Sequence, residues 1–408
     1  MYRNRIMNIF KKIYCRIFQT VFKIAIPILP YRDPEILDSI EDCAEIIKRV
    51  GARKVFIATD AGVVKCGLTD GLTAALDDLS VPYSIYDKTP PNPTVSAVED
   101  ARSAYVKNGC DVIVAVGGGS AMDIAKAVGA RIARPKKSVT KMAGILKVRK
   151  KLPLLFAVPT TAGTGSETTL AAVITDEATH RKFAINDFPL IPRYAVLDYK
   201  LTLGLPKNMT AYTGMDALTH AVEAYIGRST TKKTRKCAVD AVKLVMENLE
   251  TCYDEPTNAA ARKNMLFAAH YAGIAFSQSY VGYVHAIAHS LSGRYGLQHG
   301  MTCSALLPVV LDFYGKSTHK KLAKLAKICN IADGSDDKAT AANKFITRIR
   351  EMNEYFCIPK SFAQINEADI DDMSRFADKE ANPLYPVPKL YGRKQLKRLY
   401  FKVTEKHS

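Results

Sequence analysis

A chain of 408 residues can hold two domains of ordinary size with a large buried core. Its 48% hydrophobic content, with ordinary levels of glycine and proline, excludes a disordered or fibrous chain. The net charge of +18 raises nucleic acid and anionic membranes as partners, but without zinc-finger spacing or an RNA-binding signature with interleaved aromatics, nucleic acid is not expected.

The nine cysteines are scattered, odd in number and without a CxxC pair, which fits reduced thiols in a cytoplasm better than a disulfide framework or structural zinc. Seven of the eighteen net charges fall in residues 1–32, as Arg3, Arg5, Lys11, Lys12, Arg16, Lys23 and Arg32, with no acid before Asp33. A second basic stretch runs from Lys136 to Lys151.

From Asn4 to Ile24 polar and apolar residues alternate with a helical period, giving one apolar stripe and one basic face. Lys11, Lys12, Arg16 and Lys23 rule out a transmembrane span and a secretory signal. Two readings stay open for residues 4–24: a helix packed on the protein's own body or a partner subunit, and peripheral contact with a membrane.

After Pro34 the pattern alternates. Helix-like Ile36–Val50, Gly71–Leu79 and Val95–Asn108 are interleaved with the strand-like runs Val55–Thr59, Tyr83–Tyr86 and Val112–Val116. Further strands are expected at Leu154–Val158 and Ala195–Leu197. Beyond Pro206 long helical patterns take over, at Thr210–Tyr225, Lys233–Glu250, Ala259–Ser277, His319–Ile328 and Asp337–Met352. The expected fold is an N-terminal α/β Rossmann-like parallel-sheet domain plus an all-α C-terminal domain. Its organisation is a basic extension over 1–33, a dinucleotide-binding domain over 34–205 and a helical catalytic domain over 206–408.

Three strand ends carry suggestive chemistry. Gly117-Gly118-Gly119-Ser120 follows one strand, and consecutive glycines let backbone N–H groups approach a pyrophosphate. Ser120 with Asp123 makes an S-x-x-D helix start whose positive end would face it. The run matches neither GxGxxG nor a Walker loop, so a plain turn is equally open. The hydroxyl-rich loop Pro159–Thr169, with Thr160, Thr161 and Thr164, follows another strand. Asp60 ends Val55–Thr59, where an acid accepts from ribose hydroxyls and repels a 2′-phosphate, or simply caps a turn.

Histidine placement is the sharper signal. Asp216 and His220 stand at i,i+4 in a helical, Ala-rich stretch; His285 and His289 repeat that spacing, and His299 follows. One carboxylate with three imidazoles suits Fe²⁺ or Zn²⁺ with a position left for substrate. Each histidine alone would read as a hydrogen-bonded core residue; the joint pattern favours a metal. His180, His270, His319 and His407 have no such company and read as structural or exposed.

Over residues 34–408 the chain resembles the iron-containing (group III) alcohol dehydrogenase family. The resemblance is carried by Asp60, Pro91-Asn92-Pro93-Thr94, GGGSAMDIAK at 117–126, VPTTAGTGSE at 158–167, Lys182-Phe183, TGMDALTHAVEAY at 213–225 and HAIAHSLSGRYGLQHG at 285–300. It implies metal ligands at Asp216, His220, His285 and His299. It also implies cofactor contacts at Asp60, Gly118, Gly119, Ser120, Asp123, Thr160, Thr161, Thr164 and Lys182, and a further active-site histidine at His289. It implies a homodimer, an alcohol or aldehyde substrate, and NAD in preference to NADP because of Asp60. Three departures, Cys303 for a usual Asn, Ser304 for a usual Ala and Arg294 at a position more often apolar, are expected to bear on substrate identity.

The mechanism this implies is metal-assisted hydride transfer between an alcohol and its aldehyde or ketone, with His289 relaying a proton or walling the nicotinamide. The rivals are a metal- and NAD-dependent lyase of the dehydroquinate synthase type, and a membrane-associated protein built on a retired enzyme.

Overall fold

The computed structural model describes residues 7–179 and 181–405, so Arg3, Arg5, His180 and His407 lie outside the described residues, as does the start of the 4–24 helical pattern. The chain divides into a sheet unit, Pro30–Leu205 with Glu255–Gly273, and a helical unit, Met1–Leu29, Pro206–Asp254 and Ile274–Ser408.

Helix α1 (Ile9–Ala25) belongs to the helical unit. Asn8 caps it, its side-chain oxygen accepting the Lys11 N–H. The face that α1 turns to its own unit is the polar one. Gln19 donates to the carbonyls of Pro383 and Tyr385, Arg16 to those of Val387 and Pro388, and Lys11 pairs with Asp378 at 2.7 Å. The apolar stripe points outward: Phe10 is 78% exposed, Ile24 71% and Ile9 62%.

The sheet unit runs β1 (Glu35–Leu37), α2 (Ile40–Arg49), β2 (Val55–Ala58), α3 (Ala61–Lys65), α4 (Asp70–Asp78), β3 (Tyr83–Tyr86), α5 (Val95–Lys107), β4 (Val112–Gly117) and α6 (Gly119–Ala133). It continues with β5 (Gly144–Ile145), β6 (Leu154–Pro159), β7 (Ala171–Asp176), β8 (Arg181–Asn186) and β9 (Tyr194–Val196). Six strands form a parallel sheet in the order β1-β9-β6-β4-β2-β3.

Alternate residues of the central strands feed opposite faces, as the two-residue strand period requires. Phe56, Ile113 and Leu155 pack with α5 and α6, while Ile57, Val114 and Phe156 pack with α2 and α4. Burial on both faces explains why these runs are apolar throughout.

Two expectations need correcting. Ile36 lies in β1, and the helix expected from it begins only at Ile40, after Ser39 caps it by accepting the Asp42 N–H. A smaller sheet, β5-β8-β7, pairs β7 and β8 antiparallel beyond the threonine-rich loop, where no strand was expected.

The helical unit is built from α7 (Lys207–Ile226), α8 (Lys232–Asp254), α9 (Ala259–Ser279, its residues to Gly273 counting with the sheet unit), α10 (Tyr283–Tyr295) and α11 (His299–Tyr314). It ends with α12 (Lys316–Ile328), α13 (Lys338–Tyr355), α14 (Ile370–Ala381) and α15 (Arg393–Phe401). Helix α7 is buried along almost its whole second half, so its polar residues need partners inside the protein. Among the described residues no helix is long and apolar enough to cross a membrane.

Candidate functional site

In the sheet unit the candidate cofactor residues other than Lys182, which stands on β8 of the smaller sheet, follow the carboxyl ends of β2, β4 and β6, where open parallel sheets bind ligands. Gly117 ends β4 at φ +150°, and a Cβ there would stand 2.8 Å from the Cβ of Ala121. At Gly119 a Cβ would come within 3.0 Å of the Thr164 methyl. Glycine at 119 therefore lets the Thr164 side chain of the second loop lie against the backbone of the first, beside the N-terminus of α6, the end of a helix that favours a phosphate. The β6 loop is hung on β4 by the Thr160 N–H, which donates to the Gly117 carbonyl at 3.0 Å.

Asp60 stands two residues beyond β2 and caps α3, one carboxylate oxygen accepting the Val63 N–H at 3.0 Å. Its other oxygen faces Gly117, 3.7 Å from where a Cβ there would stand. Ser120 does not cap α6 as its spacing suggested. Gly118 is the cap residue, and the Ser120 hydroxyl donates to the Pro91 carbonyl at 2.5 Å.

Asp123 acts as a strut, accepting from the Ser166 hydroxyl at 3.3 Å and the Val173 N–H at 3.1 Å. Burial pushes its carboxyl up to about 6 against the pull of Lys126. The Lys182 ammonium donates to Asn92 Oδ1 at 2.8 Å, and burial lowers its pKa.

Sequence reasoning missed Lys126. It is fully buried, and its ammonium donates to the Ser166 carbonyl and hydroxyl, the Thr169 carbonyl and hydroxyl, and the Ala171 carbonyl. It thus braces the whole second loop from beneath.

In the helical unit Asp216 and His220 come from α7, His285 from the first turn of α10 and His299 from the first residue of α11. Asp216 Oδ1 lies 3.8 Å from His285 Nε2 and 3.8 Å from His299 Nε2. His220 stacks on His285 with ring centroids 4.4 Å apart, its Nδ1 3.9 Å from Asp216 Oδ2. Cys303, one turn beyond His299, completes a group with Asp216, His285 and His299 whose ligating atoms all lie within 4.8 Å of one another.

Two atoms of this cluster, Asp216 Oδ1 and His285 Nε2, are buried with no hydrogen-bond partner among the described residues. Burial raises the Asp216 carboxyl to about 7 and lowers the His285 imidazole to about 3, so His285 is a neutral ring with a free lone pair. The residues fit a divalent cation: each unpartnered atom is a donor to metal, and the mixture of carboxylate and imidazole is one that iron and zinc accept.

Glu223 was not singled out from sequence, yet it orients the cluster. It accepts the N–H groups of Gly282 and Val284, each at 2.9 Å, and lies 2.7 Å from His285 Nδ1. That contact fixes the tautomer that presents Nε2. A signal was present, since 216, 220 and 223 share one helical face. His289 is held by Glu380, 2.7 Å from its Nδ1, and its ring lies over His299 at 5.2 Å. Glu380, which also accepts from the Tyr385 hydroxyl, left no trace in local spacing.

Of the departures, Cys303 faces the candidate metal cluster, Ser304 donates to the Gly300 carbonyl within α11, and Arg294 is an exposed partner of Asp369. Of the other histidines, His270 is buried beside Glu167, its Nδ1 3.5 Å from Glu167 Oε1.

The iron-containing alcohol dehydrogenase family model matches residues 37–199, and the model of its C-terminal region matches residues 210–403. The chain belongs to the iron-containing alcohol dehydrogenase family. It is 37% identical to alcohol dehydrogenase 4 of Schizosaccharomyces pombe, across 85% of this chain and 83% of that one. It is 33% identical to the NAD-dependent methanol dehydrogenase of Bacillus methanolicus, across 83% and 89%. A solved 1,3-propanediol oxidoreductase superposes with a TM-score of 0.88 at 32% identity, covering 91% of this chain and 99% of that one. Family membership makes the protein an oxidoreductase, an alcohol dehydrogenase of the iron-containing class, with a small-molecule substrate.

Proposed function

We propose that the protein interconverts an alcohol and its aldehyde or ketone with NAD as hydride carrier, and that Asp216, His220, His285 and His299 hold its divalent cation. The observation that supports this is the buried pair Asp216 Oδ1 and His285 Nε2, 3.8 Å apart and both without a hydrogen-bond partner among the described residues. Each such atom costs about 1–3 kcal/mol unless satisfied, and one cation satisfies both.

When bound, the cation supplies Lewis-acid polarisation of the substrate oxygen. The chain's own residues do the rest. Glu223 aims His285, Lys126 and Asp123 hold the threonine loop, and the Gly117–Gly119 turn leaves N–H groups for the pyrophosphate. Asp60 supports NAD over NADP, because its carboxylate at the end of β2 accepts from ribose hydroxyls and repels a 2′-phosphate. His289 is the candidate proton relay, with Nδ1 committed to Glu380 and a ring close to His299.

The test is NADH oxidation by the metal-stripped protein, prepared anaerobically, with a panel of short aldehydes and added Fe²⁺ or Zn²⁺. Turnover should require metal and fall at least tenfold with NADPH. His289→Ala should slow turnover strongly with the metal still bound, whereas retained turnover rejects the relay. A tightly bound metal with no NAD-linked turnover of any alcohol or aldehyde would overturn the proposal in favour of a lyase.

We further propose that the outward face of α1 rests on an anionic membrane surface. Ile9, Phe10, Ile13, Ile17, Val21 and Ile24 form an exposed stripe, while the polar face is occupied by the protein's own carbonyls and Asp378. Lys12 and Lys23 flank the stripe. An apolar stripe edged with cations suits anionic lipid, and a second copy of a chain carrying +18 would bring like charge to it.

Full-length protein should sediment with phosphatidylglycerol-rich vesicles, less with phosphatidylcholine vesicles, and lose both interactions in Ile13→Glu/Ile17→Glu. Equal recovery of variant and wild type in the pellet would overturn it. So would a variant that dissociates from dimer to monomer without any change in vesicle binding, which would mark the stripe as a homodimer contact.

A further inference from the structure

We infer that Cys303 is itself a ligand of the bound cation, a thiolate donor added to the carboxylate and imidazoles. This rests on the metal reading above and deepens it.

Cys303 is completely buried on α11, one turn after His299. Its Sγ lies 3.6 Å from His299 Nε2, which stands 3.8 Å from Asp216 Oδ1, itself 3.8 Å from His285 Nε2. Four donors placed tetrahedrally about 2.0–2.3 Å from one ion are separated from each other by roughly 3.3–3.8 Å. The sulfur–nitrogen separation falls within that figure, the two oxygen–nitrogen separations lie a few tenths of an ångström above the roughly 3.3–3.5 Å expected for that pair of donors, and the three link Cys303, His299, Asp216 and His285 into one chain of neighbours. His220, the remaining proposed ligand, stacks on the His285 ring with its Nδ1 3.9 Å from Asp216 Oδ2, so Cys303 joins the donor set without displacing one of its members.

A buried cysteine ordinarily behaves as a small hydrophobe. Cys43 does so, packed among Ile40, Ile47 and Leu72 in the sheet unit's core. Cys303 is placed otherwise, with its sulfur turned to the Asp216 carboxylate and the His299 imidazole, in a group where Asp216 Oδ1 and His285 Nε2 have no hydrogen-bond partner among the described residues. Coordination would replace the S–H bond by a sulfur–metal bond, the proton leaving to solvent with no change of oxidation state. A thiolate is a soft donor, so it shifts preference from Fe²⁺ toward Zn²⁺ and Co²⁺ relative to an all-nitrogen and oxygen site.

The experiment is titration of the metal-free full-length protein with Co²⁺, read by absorption. Wild type should develop near-ultraviolet thiolate-to-cobalt charge transfer together with the visible d–d bands. Cys303→Ser and Cys303→Ala should still bind one Co²⁺ with d–d bands but lack the charge-transfer band. Their affinity for Zn²⁺ should fall by roughly 10–100-fold, with a smaller loss for Fe²⁺. His285→Ala, which keeps all nine cysteines, should lose the band as well, assigning it to this site and not to exposed Cys66 or Cys357. A charge-transfer band that survives in both Cys303 variants, or is missing from a cobalt-loaded wild type, would overturn the inference while leaving the metal site standing. Failure of wild type to bind Co²⁺, Zn²⁺ or Fe²⁺ would overturn both.

Discussion

Replacing His285 by alanine is expected to remove the metal and, with it, at least about a thousandfold of kcat/KM. Polarisation of the substrate oxygen by a bound cation is worth several kcal/mol, and about 1.4 kcal/mol corresponds to each tenfold in rate. His285 is the residue to choose because its position is determined twice over. Glu223 grips Nδ1 at 2.7 Å, and the first turn of α10 is pinned by the two N–H groups that donate to the same carboxylate. The alanine variant keeps that turn, since the backbone donors remain, so the loss falls on the metal and not on the fold. Metal content per protein, measured beside steady-state NADH oxidation, checks it. Turnover within tenfold of wild type with metal retained would remove His285 from the site. A milder neighbour, Glu223→Gln, should weaken metal binding by roughly 10–100-fold, as expected for a residue that orients a ligand without touching the ion.

Lys126→Met should be the most damaging single change in the sheet unit. The ammonium has three hydrogens for five oxygens, all within the loop that follows β6 and the start of β7. Methionine fills the space but leaves those oxygens without their donor and the Asp123 carboxylate with Lys182 as its remaining cation. Removing one partner from such a buried arrangement costs about 3–5 kcal/mol. For a unit of this size that lowers Tm by roughly 10 °C. Because the loop carries Thr160, Thr161 and Thr164, KM for NAD should rise on the order of tenfold while kcat changes less, the split expected when binding rather than chemistry is lost. Thermal unfolding with and without NAD, paired with KM for each substrate, separates the two effects. A variant with Tm within 2 °C of wild type, by the same size scaling, and an unchanged KM would reject the bracing role.

Much of this architecture was legible before any coordinates. The runs that became β2, β4 and β6 are apolar throughout because each strand is covered on both faces, and that is the pattern least open to misreading. Strand β1 escaped because it is three residues at a sheet edge, and Glu35-Ile36-Leu37 joins smoothly to the amphipathic pattern of α2. The pair β7 and β8 escaped because half-buried strands with mixed polarity next to a glycine- and threonine-rich loop look like more loop. For α1 the sequence displays both a polar and an apolar face. Which of them meets the body depends on the carbonyls at Pro383, Tyr385, Val387 and Pro388, far away in the chain.

At the metal cluster, Asp216, His220, His285 and His299 stand out because histidines at helical spacing in alanine-rich helices are unusual. Glu223 and Cys303 share that spacing with Asp216 and His299, but an acid near a helix end reads as surface and a cysteine reads as core. Lys126 and Glu380 could not be found from local pattern, since their partners lie 40 to 45 and 91 residues away.

The order of strands in the sheet also governs how the protein is made. Glu35 pairs with Tyr194 and Leu37 with Val196, so the first strand to leave the ribosome is among the last to be used. At about 5–20 residues per second, on the order of ten to thirty seconds pass before β9 is synthesised. Until then the segment around β1 has no neighbour, and the β6 edge of the nascent sheet is bare. The interior β4 pairs with both β2 and β6 and can form earlier. Synthesis therefore favours a nucleus of β2, β3, β4 and β6, with the N-terminal segment held in waiting. Slowing translation before codon 194 would lengthen the period in which that open edge is available to chaperones, or to another unfinished chain.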